Sequence, residues 1–414
     1  MRVRIHRGAR EIGGNCVEVE AGNARLVLDL GRPLTAGWDD QVPLPALDGL
    51  TGDPAGFCGV VLSHPHEDHY GLVRQIAASV PVYLGEAAAR ILREAAFFSR
   101  GLDVTPAGFL VHRRRFEVGP FRITPYLVDH SAFDAYALLV EADGQRLFYT
   151  GDLRAYGRKA ALFERLVRHP PVAVDALLIE GTQVRADDTG TRSLPSEAAV
   201  EDACVATFTA TPGLALAVYS PQNVDRLVTL YRAARRAGRT FVMDLYTAAV
   251  AAATGRTTIP QASWEGVRVY VPQRQRVAVL RAAAFDRVAA IRSQRVYADE
   301  LRRTAGHLVL TFRGSMCAEV ERIQCLTGAA CIWSLWPGYL AEPAGIRLQE
   351  WLARHEIPLV DHHASGHATP QDLARLVAAF SPRRTVPIHT SAPERFAALF
   401  PRVERHADGA WWDL

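Results

Sequence analysis

The densest chemistry in this 414-residue chain is the run Ser63-His64-Pro-His66-Glu-Asp68-His69-Tyr-Gly71. Three imidazoles and the Asp68 carboxylate within six residues combine borderline nitrogen donors with a hard oxygen donor, a set suited to zinc or a similar divalent ion. The short apolar stretch Gly59-Val-Val-Leu62 before it predicts a buried strand that ends in a loop opening a helix. One such loop cannot wrap all four donors around a single ion. His64 and His66 can point one way and Asp68 and His69 the other, which suggests two metals sharing a bridging water.

Further donors follow at the ends of other apolar stretches. They are Asp29 in Leu28-Asp-Leu-Gly31, His130 in Val128-Asp-His-Ser-Ala-Phe-Asp134, and Asp152 in Tyr149-Thr-Gly-Asp-Leu153. Glu180 closes the apolar run from Val174, the segment His363-Ala-Ser-Gly-His367-Ala368 precedes a helical pattern, and Pro387-Ile-His389 ends a late strand. Singly, an aspartate after a strand reads as a turn residue and a lone histidine as structural. Their order and local context behind the histidine run alter that reading.

The run His64-x-His66-x-Asp68-His69 resembles the signature of the metallo-β-lactamase superfamily, and Asp29, His130 and Asp152 match its other motifs in order. Glu180, His367 within its Ser-Gly-His-Ala context, and His389 resemble the three further motifs of the β-CASP branch, nucleases with a large insert after the acidic residue. Within that branch the chain is most similar to the ribonuclease J group. The resemblance implies an α/β architecture: a metallo-β-lactamase αββα sandwich carrying an inserted β-CASP domain of doubly wound parallel α/β type. It covers nearly the whole chain, with residues 1–181 and 341–414 forming the sandwich and 182–340 the insert.

By the same resemblance His64, His66, His130 and Asp152 would hold one ion, and Asp68, His69, Asp152 and His389 the other. The cofactors implied are two divalent ions, zinc first and manganese second. Asp29 would orient a ligand loop and His363 would support the site, with His362 structural or supporting. His367 would touch a phosphate oxygen or protonate the leaving oxygen, and Glu180 would hold that histidine in place. Asp68, His367 and Glu180 are thus the expected catalytic set. Ser365 and Gly366 could offer donors to phosphate. The segment Thr311-Phe-Arg313-Gly314-Ser315 keeps only Gly314 and Ser315 of the family's phosphate loop, with Arg313 as a substitute ligand.

The elements that must position these residues change style along the chain. Short β-runs dominate to Glu180, including hairpins at Ala21-Gly-Asn and at Asp143-Gly144, the strongest short hairpin signal. After Thr182, strands alternate with helical periods: a helix from Ser196, a strand at 214–220, a helix at 223–237, strands at 240–244 and 307–312. That spacing predicts βαβ units on a parallel sheet. The strands at 357–361 and 385–389, with a helix at 369–380, are read as the return.

Composition sets outer limits. The 47 basic and 44 acidic residues nearly balance, which excludes a chain coated in cations for polyanion binding. Residues 182–340 nevertheless hold 19 arginines against 13 acidic side chains, a basic insert beside an acidic core whose carboxylates metal would neutralise. Lys159 is the only lysine. No apolar run reaches the ~18 residues of a membrane helix, and the N-terminal residues build no signal-peptide core, so no membrane partner and a cytoplasmic location are expected. Six scattered cysteines with no Cys-x-x-Cys pair read as free thiols. Arg113-Arg-Arg115 reads first as a solvated charge run, and Trp333, Trp336 and Tyr339 as junction packing before base stacking.

The expected activity is therefore two-metal hydrolysis of a phosphodiester in single-stranded RNA, with a metal-bridged hydroxide as nucleophile. A small-molecule lactone or thioester hydrolase on the same centre and a non-catalytic RNA-binding scaffold are the alternatives. Ribonuclease J chains resemble one another in a longer extension after the last motif, whereas this sequence continues for only some two dozen residues, so oligomerisation through that extension is not carried over and a homodimer stays a possible partner state.

Overall fold

Alternating apolar residues at the N-terminus close into a first sheet. A computed structural model describes residues 1–37, 39–52, 56–185 and 195–414 of the protein. Strands β1 (Arg2–Arg7), β2 (Cys16–Ala21), β3 (Ala24–Leu28), β4 (Phe57–Val61), β5 (Val82–Gly85) and β6 (Gly108–Leu110) lie side by side in chain order. The first three are antiparallel, with β2 and β3 joined through Gly22-Asn23, and β3 to β6 run parallel. A second sheet contains β7 (Phe116–Val118), β8 (Phe121–Leu127), β9 (Tyr136–Ala142), β10 (Gln145–Tyr149), β11 (Ala176–Glu180) and the late strand β18 (Arg384–Ile388). The hairpin between β9 and β10 turns on Asp143 and Gly144, both at positive φ, which matches the right-handed twist of the strands it joins.

Three apolar cores stack through these sheets. Between them, Ile5, Val17, Val19 and Leu26 meet Phe121, Leu138, Val140 and Leu178. Outside the first sheet, Val27, Val60 and Leu84 pack on Ala88 and Leu92 of the helix Glu86–Phe98. Outside the second, Phe148, Leu177 and Ile179 pack on the helices Ala160–Arg168 and Pro370–Phe380. The layers therefore run helix, sheet, sheet, helix. Each fully buried Leu, Ile or Val in them stabilises by roughly 1.5–3 kcal/mol. The helix Pro370–Phe380 is started by a capping box in which Thr369 and Asp372 satisfy each other's backbone amides. A final strand, β19 (Trp411–Asp413), pairs with β1.

A third sheet is wholly parallel, in the order β14 (Val267–Tyr270), β13 (Thr240–Asp244), β15 (Leu308–Thr311), β12 (Ala215–Val218), β16 (Ala330–Trp333), β17 (Leu359–Asp361). Apolar cores cover both faces, as the doubly wound pattern requires. One is lined by Val200, Leu227 and Ala251 from the helices Glu197–Ala210, Val224–Arg236 and Leu245–Ala253.

The chain divides into two compact units, Met1–Leu92 with Leu102–Thr189 and Gly366–Leu414, and Arg93–Gly101 with Gly190–Ser365. The bounds differ from the expected 182–340. β17, read from sequence as part of the return segment, is the edge strand of the parallel sheet, because Cys331, Ile332 and Trp333 of β16 pair with it. Leu348 and Trp351 of the helix Pro343–Arg354 are buried in the same unit. Among the described residues no helix is long and apolar enough to cross a membrane.

Candidate metal centre

Every candidate ligand of the first unit lies just beyond a strand or in the short helix that follows one. Asp29 follows β3, His64 and His66 follow β4, Asp68 and His69 lie in the four-residue helix Glu67–Tyr70, and His130 follows β8. Asp152 follows β10, Glu180 ends β11 and His389 follows β18. β3 and β4 are parallel neighbours, as are β10, β11 and β18, and β8 runs the same way as β10 with antiparallel β9 between them, so in each sheet these carboxyl ends share one edge. Gly31 makes the close approach between the β3 loop and the helix feasible, since a Cβ there would lie 1.7 Å from the Asp68 carbonyl oxygen. Asp29 and His389 adopt left-handed backbone, at φ 58° and 53°. Such conformations cost on the order of 1–3 kcal/mol and persist where surrounding contacts fix them. His389 is fixed by its amide, which donates to the Gly8 carbonyl at 2.7 Å.

The donors form two groups sharing Asp152: His64, His66, His130 and Asp152, and Asp68, His69, Asp152 and His389. The ligand atoms within each group lie within 4.8 Å of one another. Asp152 Oδ2 stands 3.7 Å from His64 Nε2, 3.3 Å from His69 Nε2 and 4.0 Å from His130 Nε2. Its Oδ1 is 3.5 Å from His389 Nδ1, while Asp68 Oδ2 is 3.7 Å from both His69 Nε2 and His389 Nε2.

Hydrogen bonds on the far side of the rings decide which nitrogen faces inward. His69 Nδ1 donates to Asp29 Oδ2 at 2.7 Å, and His130 Nδ1 donates to the Gly366 carbonyl at 2.6 Å. Ser63 gives its hydroxyl hydrogen to Asp29 Oδ2 at 2.7 Å and so accepts from His64 Nδ1 at 2.9 Å. With the proton placed there, the Nε2 of His64, His69 and His130 carries a bare lone pair. His66 Nδ1 then lies 3.2 Å from His64 Nε2 and 3.1 Å from His130 Nε2. Three converging nitrogens cannot be satisfied by one proton. Two ligands ~2.05 Å from a tetrahedral ion stand about 3.3 Å apart, so these separations suit a cation. The second group makes the same point, because His69 Nε2, Asp152 Oδ1 and both ring nitrogens of His389 are buried with no hydrogen bond.

For His64, His66 and His130 the electrostatics agree with a ligand role, since burial keeps these rings neutral. Burial, reinforced by neighbouring imidazoles, holds His64 and His130 well below the ordinary histidine value, and burial holds His66 at about 4. Burial also pushes His69 down, but Asp152, Asp68 and Asp29 around it raise it well above that value. Asp152 is pushed up by burial and held well below the carboxylate range by His389, His69 and His367.

His367 sits beside this cluster, its Nδ1 3.6 Å from Asp152 Oδ2 and 3.5 Å from Glu180 Oε1. Burial lowers it, yet Glu180 and Asp152 bring it to about 9. Glu180 is itself fixed, accepting from the Thr182 amide at 2.9 Å and the Ala368 amide at 3.2 Å. The His367 carbonyl accepts from Tyr156 Oη at 2.5 Å and from the Gln183 amide nitrogen.

Several residues that shape the centre escaped the sequence reading. Ser63 ties Asp29 to His64, Tyr149 Oη donates to Asp29 Oδ2 at 2.6 Å, and Asn15 Nδ2 donates to Tyr149 Oη at 3.1 Å. Asp129 accepts from the Gly157 amide at 2.7 Å and faces the buried Arg154 at 3.5 Å. Ser63 and Asp129 adjoin the histidines, and that adjacency was the available signal.

Other expected residues stand differently. Gly366 orients His130 through its carbonyl, and a Cβ there would fall 2.7 Å from Ser131 Oγ. His363 and Ser365 are half-buried in the loop after β17. His362 bonds Thr207 Oγ1 at 2.8 Å and its neighbour's carbonyl at 2.8 Å, a structural role. Arg313, expected as a phosphate ligand, donates from Nε to the buried Asp244 Oδ2 at 2.5 Å and lies over the Tyr246 ring, so its charge is neutralised locally. Gly314 and Ser315 open a single 3₁₀ turn. Trp333 is buried, whereas Trp336 and Tyr339 are exposed and meet edge to face. Arg113, Arg114 and Arg115 are exposed.

Residues 35–230 match the family model described as a β-lactamase superfamily domain. The chain thus carries a metallo-β-lactamase superfamily domain, a fold that implies divalent metal ions, and its His/Asp cluster fits a hydrolase. It is similar to a ribonuclease J of Helicobacter pylori, at 27% identity over 153 residues, 36% of this chain and 22% of that protein. It is also similar to a ribonuclease J of Mycobacterium tuberculosis, at 26% identity over 251 residues, 58% of this chain and 43% of that one. The match takes in less than half the length of either relative. Among solved structures, a protein of unknown function from Enterococcus faecalis shares the fold, with a TM-score of 0.79 and 23% identity over 100% of this chain and 99% of that chain.

Proposed function

We propose that this chain is a two-metal phosphodiester hydrolase acting on single-stranded RNA, with a β-CASP-type insert between the two parts of its sandwich. The observation that carries the reading is the sharing of Asp152 between two ligand groups, with His367 and Glu180 beside them. His64, His66, His130 and Asp152 would hold one divalent ion and Asp68, His69, Asp152 and His389 the other, with zinc suited to this nitrogen-rich set. Bound there, the two ions supply a nucleophile at neutral pH and offset charge on the phosphate oxygens.

This chain's own residues do the rest. Asp29 and Ser63 fix the tautomers of His69 and His64, and the Gly366 carbonyl fixes that of His130. Glu180, locked by two backbone amides, keeps His367 oriented toward the cluster. From there its ring can give a proton to the leaving alkoxide or a hydrogen bond to a phosphate oxygen. The ribonuclease J relatives and the arginine surplus of residues 182–340 support RNA as the substrate.

The test supplies 5′-monophosphorylated, 5′-triphosphorylated and circular RNAs to the purified protein, with lactone and thioester substrates in parallel. RNA cleavage is expected, lost in Asp152→Ala and in His367→Ala, the latter with metal content intact. Cut circles would establish internal cleavage. Hydrolysis of a lactone or thioester with every RNA untouched would overturn the RNA reading.

A further inference from the structure

The second unit contains a cavity of about 490 Å³ that uses none of the metal-cluster residues. It opens at the carboxyl end of the edge strand β14, where Tyr270 and Val271 form its floor, between the starts of the helices Gln273–Arg281 and Ala298–Thr304 and the helix Cys317–Ile323. Open α/β sheets take ligands outside the carboxyl ends of their strands, at the switch point in strand order, and this cavity lies at that same end of the sheet, beside its edge strand. The volume is that of a small-molecule site.

Four guanidinium groups line it, from Arg276, Arg295, Arg302 and Arg322, against two carboxylates, Asp299 and Glu319. The carboxylates offset only part of this charge, each pairing loosely with one of the four. Glu319 already accepts from Tyr270 Oη at 2.6 Å and from the Gln273 amide at 2.9 Å, with Arg276 further off at 3.6 Å. Asp299 has its side chain 92% exposed and meets Arg302 only at 3.7 Å. The Tyr297 ring is 57% exposed, and the Arg295 guanidinium lies 4.7 Å from its centroid. A concave surface with surplus guanidinium groups and a solvent-facing aromatic ring matches two moieties at once. Guanidinium forks bind phosphate bidentately, and an aromatic face stacks a base.

We propose that this cavity is a nucleoside-phosphate site, in which Arg276, Arg302 and Arg322 take the phosphate and Tyr297, backed by Arg295, takes the base. A free mononucleotide and one nucleotide of a single-stranded RNA offer the same chemistry. The experiment separates these sources by calorimetry on the full chain, with AMP, inorganic phosphate and a cleavage-resistant 2′-O-methyl oligoadenylate as probes.

The expected result is binding of AMP or of the oligomer, weakened by about tenfold or more in Arg276→Glu/Arg322→Glu, both exposed positions. Tyr297→Ala should weaken the same probe by about tenfold, the scale of one stacked base, and leave inorganic phosphate unchanged. AMP binding without oligomer binding would assign a free nucleotide, and oligomer binding without AMP an RNA strand. If neither probe binds, or binding is the same in both variants, the proposal is wrong. Should the double charge reversal fail to fold, Tyr297→Ala alone still decides it. Loss of RNA cleavage elsewhere in the molecule would not affect this outcome.

Discussion

Asp29 and His69, 40 positions apart in sequence, are joined by a 2.7 Å hydrogen bond in which the ring nitrogen Nδ1 donates to a carboxylate that belongs to neither ligand group. The same carboxylate also takes the Ser63 amide and hydroxyl and the Tyr149 hydroxyl. One buried side chain on left-handed backbone therefore sets the direction of His69 and, through Ser63, of His64.

Asp29→Ala should leave four donors without this acceptor and two histidines free to turn. Supporting carboxylates of this kind are worth about 10–100-fold in metal affinity. Competition against a chelating dye should show at least that loss. Retention of wild-type affinity would mean that the rings are held by packing alone.

Gly31 supports the same loop sterically. A Cβ at this position lies 1.7 Å from the Asp68 carbonyl oxygen, a backbone atom that cannot rotate aside. Gly31→Ala should displace the helix Glu67–Tyr70, destabilise by roughly 1–3 kcal/mol, and lower the bound metal stoichiometry, because Asp68 and His69 move with it. Thermal unfolding with and without chelator would separate the two effects, with the difference between those curves shrinking in the variant.

How much of this was readable depends on sequence separation. His64, His66, Asp68 and His69 announce themselves because their spacing is local and no tertiary knowledge is needed to see four donors in one loop. The hairpins at Gly22-Asn23 and Asp143-Gly144 are legible for the same reason. Tyr149 was invisible as a partner of Asp29, since only the packing of β10 against the end of β3 brings the two together. Arg313 looked free because Asp244 is 69 positions away. β17 has an unambiguous strand pattern, yet nothing in three apolar-flanked residues says which sheet will accept it. That information resides in the pairing with β16.

Asp244 and Arg313 make the second unit's stability depend on acid. Burial pushes the Asp244 carboxyl up, but Arg313 and the Thr247 hydrogen bonds outweigh it and hold the group below the ordinary carboxylate value. A carboxylate lowered in the folded state contributes stability that is fully present above its unfolded pKa of about 3.9 and is lost as pH falls through the folded value. Denaturant unfolding should therefore show stability declining below about pH 4. In Asp244→Asn that part of the slope should be reduced, with the whole curve lower, since Arg313 then faces no charge. An unchanged acid limb would remove Asp244 from the account.

Arg226 is the largest polar anchor of the same unit, fully buried, with Nη2 2.9 Å from Glu197 Oε1 and Nη1 2.9 Å from the Ser334 carbonyl. Glu197 also receives the Thr229 hydroxyl at 2.7 Å. Removing one member of a buried ion pair leaves the other uncompensated, at a cost of about 3–5 kcal/mol, whereas replacing both by apolar groups of similar volume is often neutral. Arg226→Met should accordingly be strongly destabilising, and Glu197→Leu/Arg226→Met less so than the sum of its parts. The coupling in that cycle, measured by urea unfolding, should be of order 1–3 kcal/mol. Additive single effects would show instead that the Ser334 carbonyl, not Glu197, is the partner that keeps the guanidinium inside.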